Sequence, residues 1–302
     1  MIRLQEISKK FNGTQAIHPL CFDIPDGCIF GVIGSNGAGK STLLRLCAGV
    51  YRADSGSILL DGMPVYENPK AKQQIVFVSD DPYFLPGADM RRMAKLYSAV
   101  YPHFDRKRFA ELSAAFGLDV KKNIQAFSKG VRRQVAIVLA LCCRARYLLF
   151  DESFDGLDPV VRNLVKGLLC QQVAQDGCTV VVTSHSMREL EGLCDCVALL
   201  HKGKLTLHSD IHQLKSSLIK VQAAFRQPPQ AQAFAALQPL HLSISGSIVQ
   251  MIVRADAEQV AAQLRETEPL LLETLPLTLE EIFVYELQTQ GYSFTEPMGG
   301  IG

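Results

Sequence analysis

Neither sign of charge dominates this sequence: 31 Lys and Arg stand against 30 Asp and Glu, a formal charge of +1 over 302 residues. Binding to a phosphate backbone draws on an excess of basic side chains, and that excess is missing. Nucleic acid is therefore excluded as the main partner. Long apolar runs are also missing. The longest, Val135 to Cys143, stops at Arg144, far short of the ~20 residues a membrane-spanning helix requires, so the chain is not expected to cross a bilayer by itself. The opening MIRLQEISKKFNG has basic residues but no apolar stretch behind them, so no secretory signal is expected. Paired cysteine spacing is absent as well. The 9 cysteines are odd in number, with Cys142 beside Cys143 and Cys194 two before Cys196, and none has the C-x-x-C pairs or nearby His of a zinc site. They read as reduced, buried thiols, which excludes a disulfide framework.

What is present is the composition of an ordinary globular protein, 48% apolar and 20% charged, able to bury a large core. The length suits two domains at about 150 residues each, one of ordinary size and one smaller. Ile2 to Ile7 and Ala16 to Ile24 alternate apolar and polar residues around Asn12-Gly13, which predicts a hairpin. The run Cys28 to Ile33 is short, β-rich and apolar throughout, as expected of a strand buried on both faces of a parallel sheet. A helix with Leu43, Leu44 and Cys47 on one face follows, ending at Gly49. Further strands are expected at Gln74–Val78, Tyr147–Phe150, Cys178–Thr183 and Cys196–His201, separated by helical stretches. The fold class is α/β.

Ala88 to Ala126 carries only helical periodicity and reads as a helical subdomain, spanning about 88–127, with Arg106-Lys107-Arg108 as a solvated face. After Leu214 the texture changes. Gln227-Pro228-Pro229-Gln230 opens a Gln/Ala-rich helical stretch, followed by two strands turning at Ser245-Gly246-Ser247, a helix at Ala257–Thr267, a strand at Leu270–Leu275 and an amphipathic TLEEIFVYEL helix. The division expected is 1–213 for the main domain, 214–290 for a small α+β domain and 291–302 for a tail, loose from Phe294.

Chemistry concentrates in GSNGAGKST, Gly34 to Thr42, which satisfies G-x-x-x-x-G-K-[ST] between a buried strand and a helix. Gly34, Gly37 and Gly39, with Ser35, Asn36 and Ala38 between them, let backbone N–H groups converge on phosphate oxygens at a helix N-terminus. Lys40 is placed to reach the β and γ phosphates of ATP, Ser41 to ligate Mg2+ and Thr42 to contact the α-phosphate. A nucleotide and its metal need an acidic partner at the end of another buried strand, and YLLFDE supplies Asp151, placed to hold magnesium through water. Glu152 beside it is the candidate general base for the attacking water.

With these two motifs and three more in order, the stretch Ile2 to Ser209 resembles the ATP-binding cassette (ABC) ATPases, most closely the type-two exporter ATPases with FSKG-type signatures. FSKGVRRQ is similar to the signature motif, with Ser128 and Gly130 at its serine and second glycine. Asp158 closing SFDGLD resembles the D-loop, His185 in VVVTSHS the switch histidine, and Phe11 the aromatic that stacks on adenine, although an isolated Phe is ordinarily core. The resemblance implies an ABC nucleotide-binding domain in which Ser128, Lys129 and Gly130 contact the γ-phosphate of a partner's nucleotide, so that two subunits share two ATPs. It implies a second ATPase subunit and a separately encoded transmembrane permease as partners, and a cytoplasmic location, peripheral to the inner face of the cell membrane. The loop Asp81 to Gly87 and the neighbouring helical subdomain would then receive a short helix of that permease; without the resemblance the loop is a surface loop with Tyr83 and Phe84 tucked back.

The sequence departs from the family pattern in places. Lys129 stands where a glycine is usual and Val131 where a glutamine is usual, and Ser153-Phe154-Asp155 before Gly156 is an uncommon D-loop. Aligning IVFVSDDP puts Asp80 at the Q-loop glutamine, where a carboxylate can ligate magnesium but, ionised, cannot donate a hydrogen bond. The function expected is ATP hydrolysis coupled to transport, as export. The alternative is a soluble non-transport ABC-type ATPase, and it needs features missing here: a long coiled coil between Lys40 and Ser128, or a second cassette. A regulatory module with little turnover would not need Glu152 and His185.

Overall fold

Asn12 and Gly13 both take positive φ, 48° and 81°, the geometry of a two-residue type I′ turn whose twist matches that of its flanking strands. They join β1 (Ile2–Phe11) to β2 (Thr14–Ile24), with Phe11 opposite Thr14. The structure is a computed structural model and describes residues 1–289. Those residues fall into two units, Met1–His208 and a second beginning at Ser209.

The first unit continues through β3 (Ile29–Ile33), α1 (Lys40–Cys47), β4 (Ser55–Leu60), β5 (Met63–Pro64), α2 (Pro69–Lys72) and β6 (Ile75–Val78). The helical segment supplies α3 (Met90–Val100), α4 (Arg106–Ala115) and a 3₁₀ turn at Ile124–Ala126. Then come α5 (Lys129–Cys142), β7 (Tyr147–Asp151), α6 (Pro159–Asp176), β8 (Thr179–Ser184), α7 (Met187–Leu190), β9 (Cys196–His201) and β10 (Lys204–Asp210). Six strands form one sheet in the order β10-β9-β3-β8-β7-β6, and β3 runs parallel to β8 and β9, as β7 does to β6 and β8. A second sheet, β2-β1-β4-β5, is antiparallel.

Every residue of β3, β7 and β8 is buried, which is why they read as continuous apolar runs without alternation. The long apolar run Val135–Cys143 proves to be the core of α5, its residues at most 4% exposed. Burying each such Leu, Ile or Val contributes about 1.5–3 kcal/mol. Six of the nine cysteines are buried free thiols; burial pushes Cys47 and Cys142 up to about 12, so they act as small apolar groups. Among the described residues no helix is long and apolar enough to cross a membrane.

The second unit holds α8 (Ile211–Ser217), β11 (Ile219–Ala224), a 3₁₀ segment at Ala231–Leu237, β12 (His241–Ser245), β13 (Ile248–Val253), α9 (Ala257–Arg265), β14 (Leu271–Leu275) and α10 (Leu279–Thr289). Its sheet order, β12-β13-β11-β14, with all neighbours antiparallel, is the split βαβ arrangement, a 3₁₀ segment standing in for the first helix. Val221, Phe225, Phe234, Met251, Val260 and Leu264 form its core.

The structure adds β4, β5, β10, α8 and β11 to the sequence-based elements and shortens the Gln/Ala-rich helix to one 3₁₀ segment. The units divide at His208/Ser209, a few residues before the expected 213/214. The loose tail from Phe294, part of the expected 291–302, lies outside the described residues.

Candidate nucleotide site

Parallel β3, β8, β7 and β6 lie side by side, so their carboxyl ends share one edge of the sheet, where open α/β sheets bind ligands. Ile33 leads into the phosphate loop, Asp151 and Glu152 follow β7, His185 follows β8, and Asp80 lies two residues beyond β6. An open pocket there is lined by Ala16, by residues 36–42 and by Glu152. The loop backbone turns tightly into α1. Gly39 has φ +102°, and a Cβ there would meet the Ala16 carbonyl at 2.8 Å. A Cβ on Gly34 would meet the Leu200 carbonyl at 2.5 Å. Neither position accommodates a side chain.

Lys40 is buried (4% exposed), and its Nζ donates to the carbonyls of Gly34 at 2.7 Å and Ser35 at 3.2 Å. Its Nζ also lies 3.0 Å from Glu152 Oε1. Asp151 is fully buried. Its Oδ1 accepts hydrogen bonds from Ser41 Oγ and Thr183 Oγ1, each at 2.9 Å, while Oδ2 is buried with no partner. Burial pushes its carboxyl above the usual range, against the pull of the two hydroxyls. A hydroxyl and a carboxylate with an unspent oxygen form the donor set a hard divalent cation takes, so the residues fit magnesium.

Glu152 holds a left-handed backbone, φ 44°, a conformation costing roughly 1–3 kcal/mol that clusters at functional sites. Its N–H donates to Thr183 Oγ1 at 2.9 Å, which fixes the turn. His185 is half exposed, with Nδ1 3.6 Å from Asp155 Oδ2 and 4.0 Å from Glu152 Oε1. The arrangement joins a phosphate-binding loop with its lysine, an acid suited to metal, a carboxylate suited to a general base, and an imidazole.

A family model described as ABC transporter matches residues 17–155. The ABC transporter ATP-binding protein YtrB of Bacillus subtilis is 32% identical over 284 residues, 94% of this chain and 97% of the relative. The chain belongs to the ABC transporter ATP-binding proteins. Nod factor export ATP-binding protein I of Rhizobium etli is 29% identical across 94% of this chain and 92% of its own. Among solved structures, the dimeric ATP-binding cassette MJ0796 in a post-hydrolysis state bound to ADP and Pi superposes with a TM-score of 0.64 at 21% identity, covering 70% of this chain and 99% of that one. The chain is thus an ATP-binding subunit with the ABC fold, and an ATPase whose hydrolysis is coupled to transport. The likeness to YtrB runs well past Ser209, where the sequence resemblance was expected to stop.

The remaining candidates of this ABC ATPase sit around the pocket differently. Ser128 caps α5, its Oγ accepting from the Val131 N–H at 3.4 Å, and Lys129 is exposed. A Cβ on Gly130 would come within 3.1 Å of the Gly156 carbonyl, so the signature segment abuts the D-loop. Among the described residues, no hydrogen bond or ion pair joins Ser128, Lys129 or Gly130 to the phosphate loop. Asp158 caps α6, accepting from the N–H groups of Val160 and Val161 at 3.1 and 3.0 Å.

Phe11 is 39% exposed, edge-on to Tyr51 at 5.3 Å, which removes the core reading. Of the loop pair, Phe84 is buried and Tyr83 is 76% exposed, so only Phe84 tucks back. The Asp80 carboxylate lies 3.7 Å from Arg45 Nη2 and within electrostatic reach of Asp151. Its carbonyl accepts from Arg133 Nε and Nη2 at 3.2 and 3.0 Å.

Sequence reasoning assigned no role to Thr183, Arg45, Arg133 or Asp155. Arg133 is 7% exposed and also donates to the Asp155 carbonyl, joining α5 to the segments after β6 and β7. It lies within FSKGVRRQ, but an arginine one turn into a helix reads as solvated.

Proposed function

We propose that this ABC ATPase binds MgATP on the phosphate loop, pairs with a second cassette across two shared nucleotides, and drives a separately encoded permease in the export direction. The observation that carries this reading is the meeting of Lys40, Asp151 and Glu152 on one sheet edge, with Lys40 Nζ and Glu152 Oε1 3.0 Å apart and Asp151 holding an unspent oxygen. Lys40 grips the β and γ phosphates, and Thr42 and the backbone of residues 34–39 cradle the rest. Ser41, with Asp151 through water, would hold magnesium, with Asp80 offering its carboxylate from the neighbouring strand end. Magnesium held by these residues would supply positive charge to the phosphate oxygens. Glu152 accepts the proton of the attacking water, and His185 hydrogen-bonds the γ-phosphate.

Among the described residues Ser128, Lys129 and Gly130 make no hydrogen bond or ion pair with their own phosphate loop, and Lys129 is exposed, which leaves them open to a contact made in trans to a second subunit, identical or related. Phe11 stacks on adenine from the hairpin tip. Asp158, which caps α6, closes the D-loop. The exposed Tyr83 loop receives the permease, which holds the ATPase at the inner face of the membrane. Export is supported by the name of the Rhizobium relative. The second unit serves as a regulatory or dimer-supporting appendage.

The test uses the purified chain and Glu152→Gln. Glu152→Gln is expected to bind ATP, lose turnover by roughly 10²–10⁴-fold and form an ATP-dependent dimer in sedimentation; the wild-type chain is expected to co-purify with an integral membrane protein from detergent extracts. Undiminished turnover in Glu152→Gln removes the base assignment. A chain that stays monomeric with ATP and brings down no membrane partner defeats the transport reading.

A further inference from the structure

Ser153 and Phe154 are each 1% exposed, so the two residues after Glu152 plug into the core, and Asp155 is the first to face the pocket edge. Its N–H donates to the Glu152 carbonyl at 3.3 Å, and its own carbonyl accepts from the buried Arg133 guanidinium, which is itself fixed to the Asp80 carbonyl. The Asp155 backbone is thereby held from two sides, so its carboxylate has a defined place. That place is beside His185: Oδ2 lies 3.6 Å from Nδ1. Glu152 lies farther from this nitrogen, at 4.0 Å, and without nucleotide its Oε1 also contacts Lys40 at 3.0 Å.

We propose that Asp155 is a positioning residue for His185, its carboxylate accepting a hydrogen bond from Nδ1–H and so leaving Nε2 as the nitrogen presented to the γ-phosphate. A hydrogen bond at one imidazole nitrogen decides which tautomer the ring adopts and how it is aimed. The 3.6 Å separation shortens by a small rotation of the imidazole, as catalytic contacts do when the substrate is bound. Glu189, whose Oε2 accepts from Ser184 Oγ at 2.9 Å and whose Oε1 pairs with Arg162 at 3.4 Å, lines the same side. Burial and the Glu189 and Glu152 charges push the Asp155 carboxyl up, while His185 and Arg133 pull it down. The uncommon Asp in this D-loop thus closes a chain of contacts in which Arg133 sets the turn, the turn sets Asp155, and Asp155 sets the imidazole. This rests on the role proposed for His185 toward the γ-phosphate.

The test compares Asp155→Ala, Asp155→Asn, His185→Ala and the double variant Asp155→Ala/His185→Ala in the full-length chain. Asp155→Ala is expected to lower kcat about 10-fold or more with KM for ATP changed less than about twofold. Asp155→Asn, whose Oδ1 still accepts from Nδ1–H, is expected to restore most of it. In the His185→Ala background, Asp155→Ala is expected to cost nothing further. Nitrogen-15 spectra of the labelled imidazole, acquired without added nucleotide, are expected to show the Nδ1–H form in the wild type and a mixture in Asp155→Ala. An equal loss from Asp155→Ala with and without His185, or an imidazole spectrum indifferent to Asp155, overturns the proposal and leaves the nucleotide site standing. Undiminished turnover in His185→Ala instead removes the role of His185 itself, and the proposal with it.

Discussion

Lys40 and Glu152 share a contact of 3.0 Å between Nζ and Oε1, so the ammonium group of the glycine loop and the carboxylate proposed as base offset each other's charge. Under the proposed roles, a γ-phosphate seated on the loop would compete with Glu152 for the same ammonium group and free the carboxylate to take a proton, so that binding and activation of the base would be one exchange of partners. Glu152→Gln weakens the competitor without emptying the place. Its ATP affinity, measured by calorimetry, is expected to match or exceed that of the wild type, whereas Lys40→Ala is expected to lose at least about tenfold, since hydrogen bonds to charged groups contribute about 1.5–3 kcal/mol.

Asp151 is buried with its carboxyl raised above the ordinary 3.8. A raised folded-state pKa means the fold favours the neutral acid, so the stability this group contributes is full below about 3.8 and falls as pH rises through the raised value. Asp151→Asn never ionises. It is expected to melt higher than the wild type at pH 7 and near the wild-type temperature at pH 3.5, while losing the additional stabilisation by magnesium and nucleotide together. A thermal-shift series across pH with and without MgATP checks both signs.

Gly39→Ala places a methyl group 2.8 Å from the Ala16 carbonyl at a φ of +102°. The loop must shift to admit it. Loss of stability by more than about 1 kcal/mol, together with loss of ATP binding, is expected from denaturant titration and calorimetry.

Lys129 places an exposed positive charge beside the Ser128 cap, at the segment proposed to meet a partner's γ-phosphate. Exposed charges act through solvent and are screened by salt. In a Glu152→Gln background, Lys129→Gly is expected to weaken ATP-driven dimerisation about two- to fivefold at low salt and little at 0.5 M. A sedimentation series in salt reads the difference.

The legible parts of this fold were those whose cause is local. The Asn12-Gly13 hairpin, the buried β3 with its glycine loop and α1, and the β7 strand ending in Asp151-Glu152 each carry their signal within a few residues. β11 did not, although it is central in its sheet, because its partners β13 and β14 lie far along the chain and its own run, with Lys220 and Gln222, passes for a linker. Arg133 was illegible for a related reason: its meaning lies in two carbonyls, of Asp80 and Asp155, that the sequence does not place near it.

By itself the sequence determined the chemistry available: a phosphate loop, an acid and a base after a buried strand, a histidine after another, and a family whose members hydrolyse ATP. The tertiary structure alone decided that these groups meet, because the order β3-β8-β7-β6 is set by hydrogen-bond register between distant segments. It also decided how they are paired: Lys40 with Glu152, Ser41 and Thr183 with Asp151, Asp155 with His185. Such pairings depend on close approach between side chains that stand on different strand ends and far apart in the chain, and no local pattern of residues encodes them.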